Sequence, residues 1–139
     1  MAGYSGTPLD KKLGIKPGHR LLLEGAPDDF VGGTLALPDG VELVTEGPVD
    51  LAIVFVTSRA QLEERWEPVT TSMKADAGFW VAWPKKASKV PTDMTEDVVR
   101  DVALPGGLVD IKVCAIDDVW SGLRLAVRKE NRPSWPWGR

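Results

Sequence analysis

The chain has 139 residues, of which 43% are hydrophobic and 27% charged, and its formal net charge at pH 7 is −3. This length predicts one domain with a single core, and the mildly acidic balance argues against nucleic-acid or membrane partners. One cysteine and one histidine exclude an intramolecular disulfide and argue against a metal site. The chain has no apolar run near the roughly 18 residues of a membrane span and no signal-peptide pattern at its start. We therefore expect a cytoplasmic protein.

The first predicted elements are a short helix and a buried strand. Residues 7–14 contain Pro8 near the start and Gly14 at the end, which are typical helix start and stop signals. The apolar run within 19–25 predicts a buried strand. Residues 27–40 are rich in glycine, proline and aspartate, so we expect a loop with at most two turns of helix.

A short alternating segment, 41–44, predicts a strand whose position in the sheet is constrained by a short connection. Only residues 45–49 separate it from the next apolar run, whereas a parallel crossover needs about a dozen residues or more. The strand therefore pairs antiparallel with 51–56, or it lies at a sheet edge without touching that strand. We favour the sheet edge.

Two solid apolar runs, 50–57 and 78–84, flank a predicted helix. Neither run alternates, which is typical of strands buried on both faces of a central parallel sheet. The helix is expected to begin at Ser58, which has capping-box spacing to Gln61, and Pro68 is expected to kink or split it. Its apolar face recurs at helical spacing and should consist of Leu62, Trp66, Val69 and Met73.

The C-terminal part predicts a polar loop at 85–91, a helix near 93–103 and a β-hairpin. The apolar stripe of that helix is Met94, Val98, Val99 and Val102. The hairpin strands alternate, so we place them at the periphery with one face buried. In the first strand the shared apolar face is Val109, Ile111, Val113 and Ala115, opposite Asp110, Lys112 and Cys114. In the second strand we expect inward Leu123, Leu125 and Val127, and outward Arg124 and Arg128.

Three segments carry a resemblance to class I methyltransferases. Residues 13–23 resemble that family's approach to its first strand, 49–54 its fourth-strand motif, and 73–81 the turn into its fifth strand. The whole chain also resembles a small actinobacterial protein family of unassigned function. The resemblance implies an α/β fold: a truncated three-layer Rossmann-like sandwich whose mostly parallel central sheet ends in an antiparallel β-hairpin. We assign this domain to 1–130 and a Trp/Pro-containing tail to 131–139.

The same resemblance implies S-adenosylmethionine as a cofactor, yet the turn that should approach it is altered. The family follows its first strand with an acid and spaced glycines. Here Glu24 and Gly25 remain, but Pro27 stiffens the turn and removes an N–H donor. Glu46 is the only nearby acid that could serve the ribose hydroxyls. We therefore expect no cofactor and no catalytic residue. The alternative is an S-adenosylmethionine-dependent methyltransferase that uses Glu24, Gly25 and Glu46.

The carboxyl ends of the strands are where open α/β sheets bind ligands, and the residues expected there predict a crevice. Arg59, Lys85 and Lys86 would hold an anion over the Ser58-capped helix, and an aromatic side chain would stack on a ring. The candidate ligand-binding residues are Glu24, Gly25, Ser58, Arg59, Trp83, Lys85, Lys86, Asp117 and Trp120. For any one of these residues alone we favour a structural role, as a helix cap, a solvated charge or a turn residue. The crevice is predicted from their convergence at one edge of the sheet.

Two tail tryptophans, Trp135 and Trp137, flank a proline. They predict docking on this domain, on a second copy or on a protein partner. Our first hypothesis is a non-enzymatic interaction module or a module that binds a small anionic ligand. The alternatives are the methyltransferase and a structural homodimer formed through the hairpin edge and the tail.

Overall fold

The fold is built around a six-stranded mixed sheet. The computed structural model describes residues 8–135. The strands are β1 (Arg20–Glu24), β2 (Glu42–Val44), β3 (Val49–Phe55), β4 (Met73–Pro84), β5 (Leu108–Ala115) and β6 (Trp120–Val127). The α-helices are α1 (Leu9–Leu13), α2 (Arg59–Thr70) and α3 (Glu96–Ala103), and 3₁₀ helices cover Lys86–Ser88 and Lys129–Ser134. The strand order is β2-β1-β3-β4-β6-β5. The first four strands are parallel, and β6 runs antiparallel to β4 and β5.

Strands β3 and β4 are buried on both faces, as their unbroken apolar runs predict. On one face, Val54, Phe79 and Leu125 pack with the side chains of α2 and α3. On the other, Ile53 and Trp80 pack with residues of α1 and of the long segment between β1 and β2. The expected fold class, a truncated Rossmann-like sandwich ending in a hairpin, is confirmed. Between β1 and β3 the structure has no helix.

Strand β2 lies at the sheet edge, as the short connection after it predicts. It pairs in parallel with β1, with Arg20 opposite Glu42, and β1 pairs in turn with β3. Strand β2 is only three residues long, so the chain has to run back by only about 10 Å to reach the start of β3. A few residues are therefore enough to pass β1.

Helix α2 begins as predicted but is not divided by its proline. Ser58 Oγ accepts a hydrogen bond from the Gln61 N–H at 3.2 Å, while Gln61 Oε1 accepts from the Thr57 N–H at 2.7 Å. The helix runs through Pro68 to Thr70, so the predicted split is wrong, while a kink at Pro68 stays a prediction. Pro68 lies in the last turn, where the loss of one N–H donor removes a single helical hydrogen bond.

Strand β4 begins at Met73, five residues before the predicted start at 78, so the expected place of Met73 on the α2 face is wrong. The pairing with β3 jumps from Val49–Met73 to Leu51–Gly78. The intervening residues bulge out of the hydrogen-bonded ladder, so the sequence there lacks the unbroken apolar run that predicts the rest of the strand.

Helix α3, in contrast, starts later than predicted, at Glu96. Met94 is buried just before the helix.

The hairpin prediction is right for the inward residues of β6 and wrong for β5. The inward residues of β6 are buried, but Ile111 and Val113 of β5 are 53% and 48% exposed, whereas Cys114 is 9% exposed. A register shift between Asp110 and Lys112 adds a residue at Ile111, so the side chains that follow exchange faces. The single apolar face predicted for Val109, Ile111, Val113 and Ala115 therefore does not form.

Candidate functional site

Two concave regions lie beyond the carboxyl ends of the central strands. The first, which we call the β4 groove, has a volume of about 700 Å³ and includes Trp83, Lys85, Lys86, Asp93, Met94 and Arg100. The second, the β1 pocket, has about 310 Å³ and includes Glu24, Gly25, Phe55, Gln61, Glu64 and Arg65. The sequence predicts one crevice, and the structure divides its residues between two.

The loop that follows β4 and borders the β4 groove is attached to neighbouring segments by hydrogen bonds. The Lys85 N–H donates to the Val119 carbonyl at 2.7 Å. The Thr92 hydroxyl donates to the Thr57 carbonyl at 2.6 Å and accepts from the Met94 N–H at 3.0 Å. These contacts attach both ends of the loop to the body of the sheet, so the groove is a preformed feature of the fold.

The acids of the β4 groove are engaged within the protein. Asp93 Oδ1 accepts the Arg59 backbone N–H at 2.8 Å, at the start of α2. Glu96 and Asp97 bind Arg100 at 2.8 and 3.1 Å. Arg100 also bonds to Asp110 at 3.0 Å, and this hydrogen bond holds the pKa of Asp110 below its ordinary value.

The groove lysines, in contrast, make no ion pair within residues 8–135. Lys85 and Lys86 stand beside a floor formed by Trp83 and Met94, which are only 6% and 4% exposed. The arrangement combines an apolar floor with two consecutive lysines among the lining residues. It suits a small ligand with an apolar part and a negative charge.

The β1 pocket is crossed by a bidentate ion pair. Arg65 Nε and Nη2 donate to the two oxygens of Glu24 at 2.7 and 2.6 Å, and these hydrogen bonds raise the pKa of Arg65. Next to it, Gly25 has a φ of +71°, and a Cβ there would lie 2.5 Å from the Phe55 carbonyl oxygen. Only glycine fits this backbone position, because the chain itself occupies the adjoining space.

Of the nine predicted ligand residues, three lie in the groove and two in the pocket. Trp83, Lys85 and Lys86 line the groove, and Glu24 and Gly25 line the pocket. Their role in binding a ligand stays a prediction.

The other four predicted residues make local structural contacts. Ser58 caps α2, and the Arg59 side chain bonds to Glu63 at 3.0 Å. Asp117 Oδ1 accepts the N–H groups of Val119 and Trp120 in the hairpin turn, each at 2.8 Å. The Trp120 ring packs edge-on against Phe55, with centroids 4.9 Å apart. Glu46, the expected ribose ligand of the alternative, is exposed just after β2.

Sequence reasoning missed Arg65 and Arg100, which form ion pairs with carboxylates of the β1 pocket and of the β4 groove. The spacing of Glu96 and Arg100, four residues apart on a helix, is a usable signal. Arg65 lies four residues after Gln61, so both face the same side of α2, but the sequence does not show that Glu24 is opposite. Among the described residues there is no metal-ligand cluster of three or more side chains and no helix long and apolar enough to cross a bilayer.

Comparison with solved structures gives the fold. A SAM-dependent methyltransferase from Aquifex aeolicus matches at TM-score 0.52 and 15% identity, over 83% of this chain and 85% of that one. LepI in complex with SAM matches at TM-score 0.53 and 15% identity, over 86% of this chain and 39% of LepI. A protein described as a pericyclic reaction enzyme matches at TM-score 0.50 and 17% identity, again over 86% and 39%. No protein-family model and no curated protein matches the chain.

These neighbours show a class I methyltransferase-like fold, as the sequence motifs predict. At such low identity they establish the fold and leave the activity open. The chain spans well under half the length of LepI.

Proposed function

We propose that this chain is a non-catalytic binding module on a methyltransferase-like fold, and that it takes a small anionic ligand in the β4 groove. The observation that carries the proposal is the pair of groove lysines, Lys85 and Lys86, which no described acid neutralises. The neighbouring carboxylates are bonded to Arg100 or to the start of α2. An anion would therefore bind these lysines without displacing an existing ion pair.

The β1 pocket supports a binding role without S-adenosylmethionine. The Glu24 carboxylate, which the family resemblance would direct toward the cofactor, is already bound to Arg65 through both oxygens. Releasing it would break a charge-assisted bidentate contact, which is among the stronger side-chain interactions in proteins. The Gly25 backbone packs on the Phe55 carbonyl, so it faces this chain's own backbone. These residues do not fit the cofactor, and we derive no transfer step.

The groove is tested by a titration with adenosine 5′-monophosphate, which joins an apolar ring to an anionic group. We expect backbone NMR shifts at residues 83–86 and 92–95. Exchange of both Lys85 and Lys86 for glutamine should weaken binding about tenfold, since charge-assisted hydrogen bonds contribute about 1.5–3 kcal/mol when shielded and less when exposed. Lys89→Gln is the matched control, because Lys89 belongs to the same loop but does not line the groove. Equal weakening by the control would contradict the proposal.

The second candidate is an S-adenosylmethionine-dependent methyltransferase, using Glu24, Gly25 and Glu46. The observation that favours it is the match to the Aquifex aeolicus methyltransferase over most of both chains. Calorimetry with S-adenosylmethionine and S-adenosylhomocysteine separates the candidates. Micromolar binding of the cofactor would favour the methyltransferase over the binding module. The absence of any binding heat at about 1 mM cofactor, which corresponds to less than about 4 kcal/mol of binding free energy, would exclude the methyltransferase.

A further inference from the structure

A cation that has no ion-pair partner among the described residues lies on the α1 face of the sheet, away from the groove and the pocket. Arg124 projects from β6 between two glycines: a Cβ at Gly14 would lie 2.7 Å from its Nη1, and one at Gly78 would lie 2.7 Å from its Nε. Sequence reasoning places Arg124 outward on an uncovered face, and this is wrong because α1 covers that face. Part of the guanidinium is therefore enclosed by backbone.

Arg124 Nε is the one buried side-chain nitrogen or oxygen in residues 8–135 that lacks a hydrogen-bond partner. The other described arginines all have a carboxylate or carbonyl partner: Arg20, Arg59, Arg65, Arg100, Arg128 and Arg132. Burial lowers the pKa of Arg124, although an arginine stays charged at any physiological pH. A partly buried charge with no counterion is costly.

A second cation adds to that cost. Lys112 of β5 is the direct cross-strand neighbour of Arg124, and its Nζ lies 6.0 Å from the centre of the Trp80 ring. Like charges directly opposite each other destabilise a strand pair. Neither side chain forms an ion pair with any acid in the part of the chain that the structure describes.

We propose that Arg124 and Lys112 form an anion site for a phosphate group. A tetrahedral oxyanion placed between them would accept hydrogen bonds from the guanidinium and the ammonium group. It would also turn their mutual repulsion into two attractions. The close approach of Gly14 and Gly78 fixes the guanidinium in place, so little side-chain entropy is lost on binding. This site does not depend on the β4 groove.

Thermal unfolding of the full chain in inorganic phosphate, with sodium chloride of equal ionic strength as reference, tests the site. We expect phosphate to raise the Tm of the unmodified protein by about 3 °C more than that of Arg124→Met. The comparison between variants matters because phosphate also stabilises proteins in general. Arg128→Met, just beyond the same strand, should behave like the unmodified protein, and Lys112→Gln should lose about half of the extra shift. Equal shifts in the unmodified protein and Arg124→Met would overturn the proposal.

A spectroscopic titration keeps the proposal testable if Arg124→Met folds poorly. Phosphate should move the backbone NMR signals of Gly14, Gly78 and Lys112 in the unmodified protein, and equally when Lys85 and Lys86 are both glutamine. Shifts confined to the groove would overturn this inference while supporting the proposed function. Binding of glycerol 3-phosphate more tightly than inorganic phosphate would assign the site to a phosphate monoester, and the reverse order to free phosphate; either order supports the site.

Discussion

Gly25 is required both for its positive φ and for the close approach of the Phe55 carbonyl. The energetic cost of each requirement can be measured separately. Its φ of +71° is costly for any other residue, and a Cβ would meet the Phe55 carbonyl. Gly18 has a similar φ of +78° but nothing within 4 Å of its Cβ position. We expect Gly18→Ala to cost about 1 kcal/mol and Gly25→Ala about 3 kcal/mol, since the contact adds about 1–3 kcal/mol. Urea unfolding measures both. Similar losses would show that Phe55 moves aside freely.

Asp50 is the residue from which the pH dependence of folding is best predicted. Its carboxylate accepts the Arg20 N–H at 2.8 Å and the Lys74 ammonium at 2.7 Å. Burial alone would raise the pKa of Asp50, but these hydrogen bonds outweigh burial and lower it. A carboxyl with a lowered folded-state pKa stabilises the protein fully above its unfolded value of about 3.9. That contribution is lost as the pH falls through the folded-state pKa.

Asp50→Asn should therefore reduce the free energy of unfolding by about 1–2 kcal/mol at pH 7, because partial exposure of the Asp50–Lys74 pair reduces the roughly 1.5–3 kcal/mol of a charged hydrogen bond. The difference from the unmodified protein should shrink below about pH 4. Urea titrations at a series of pH values give this difference directly. A difference that stayed constant down to pH 2 would show that the carboxylate charge contributes nothing.

At the scale of elements, the C-terminal 3₁₀ helix closes one end of the core. It brings Trp135 against the α2–α3 side of the sheet, where its indole N–H donates to the Met73 carbonyl at 3.0 Å. Docking of the tail on its own domain is thus observed for Trp135. Trp137 lies outside the described residues. Contact of either tryptophan with a protein partner or a second copy stays a prediction.

Two substitutions separate packing from hydrogen bonding at this end of the chain. Trp135→Phe should cost about 1 kcal/mol by removing one hydrogen bond, and Trp135→Ala about 3 kcal/mol by also removing the ring. Chemical unfolding gives both values. Sedimentation of the same variants reports on the homodimer alternative: a dimer that survives Trp135→Ala would exclude this ring from its interface.

How far the sequence determines these elements depends on whether their signals are local. The unbroken apolar runs of β3 and β4, and the cap at Ser58, are local signals, and the sequence predicts these features correctly. The bulge before Gly78 and the extra residue at Ile111 depend on strand pairing, so periodicity alone does not reveal them. The same holds for the site. Lys85 and Lys86 follow a recognisable strand, whereas the contact of Glu24 with Arg65 joins segments 41 residues apart.

Across the whole molecule, the two apolar clusters share the central strands. Neighbouring residues of β3, Ile53 and Val54, belong to different clusters, and so do Trp80 and Trp83 of β4. Loss of one cluster therefore removes support from the other. We expect a single unfolding transition in which tryptophan fluorescence and far-ultraviolet circular dichroism coincide. Separate midpoints would show that the two faces of the sheet unfold independently.

Cys114 offers a way to time how the outer hairpin detaches. It is the single cysteine of the chain, it is buried against the α1 side of the sheet, and burial raises the pKa of its thiol. Because the thiolate is the reactive form, a thiol reagent should label the folded protein only as fast as the sheet edge opens. Pulse labelling would then yield an opening rate for β5 without any engineered probe.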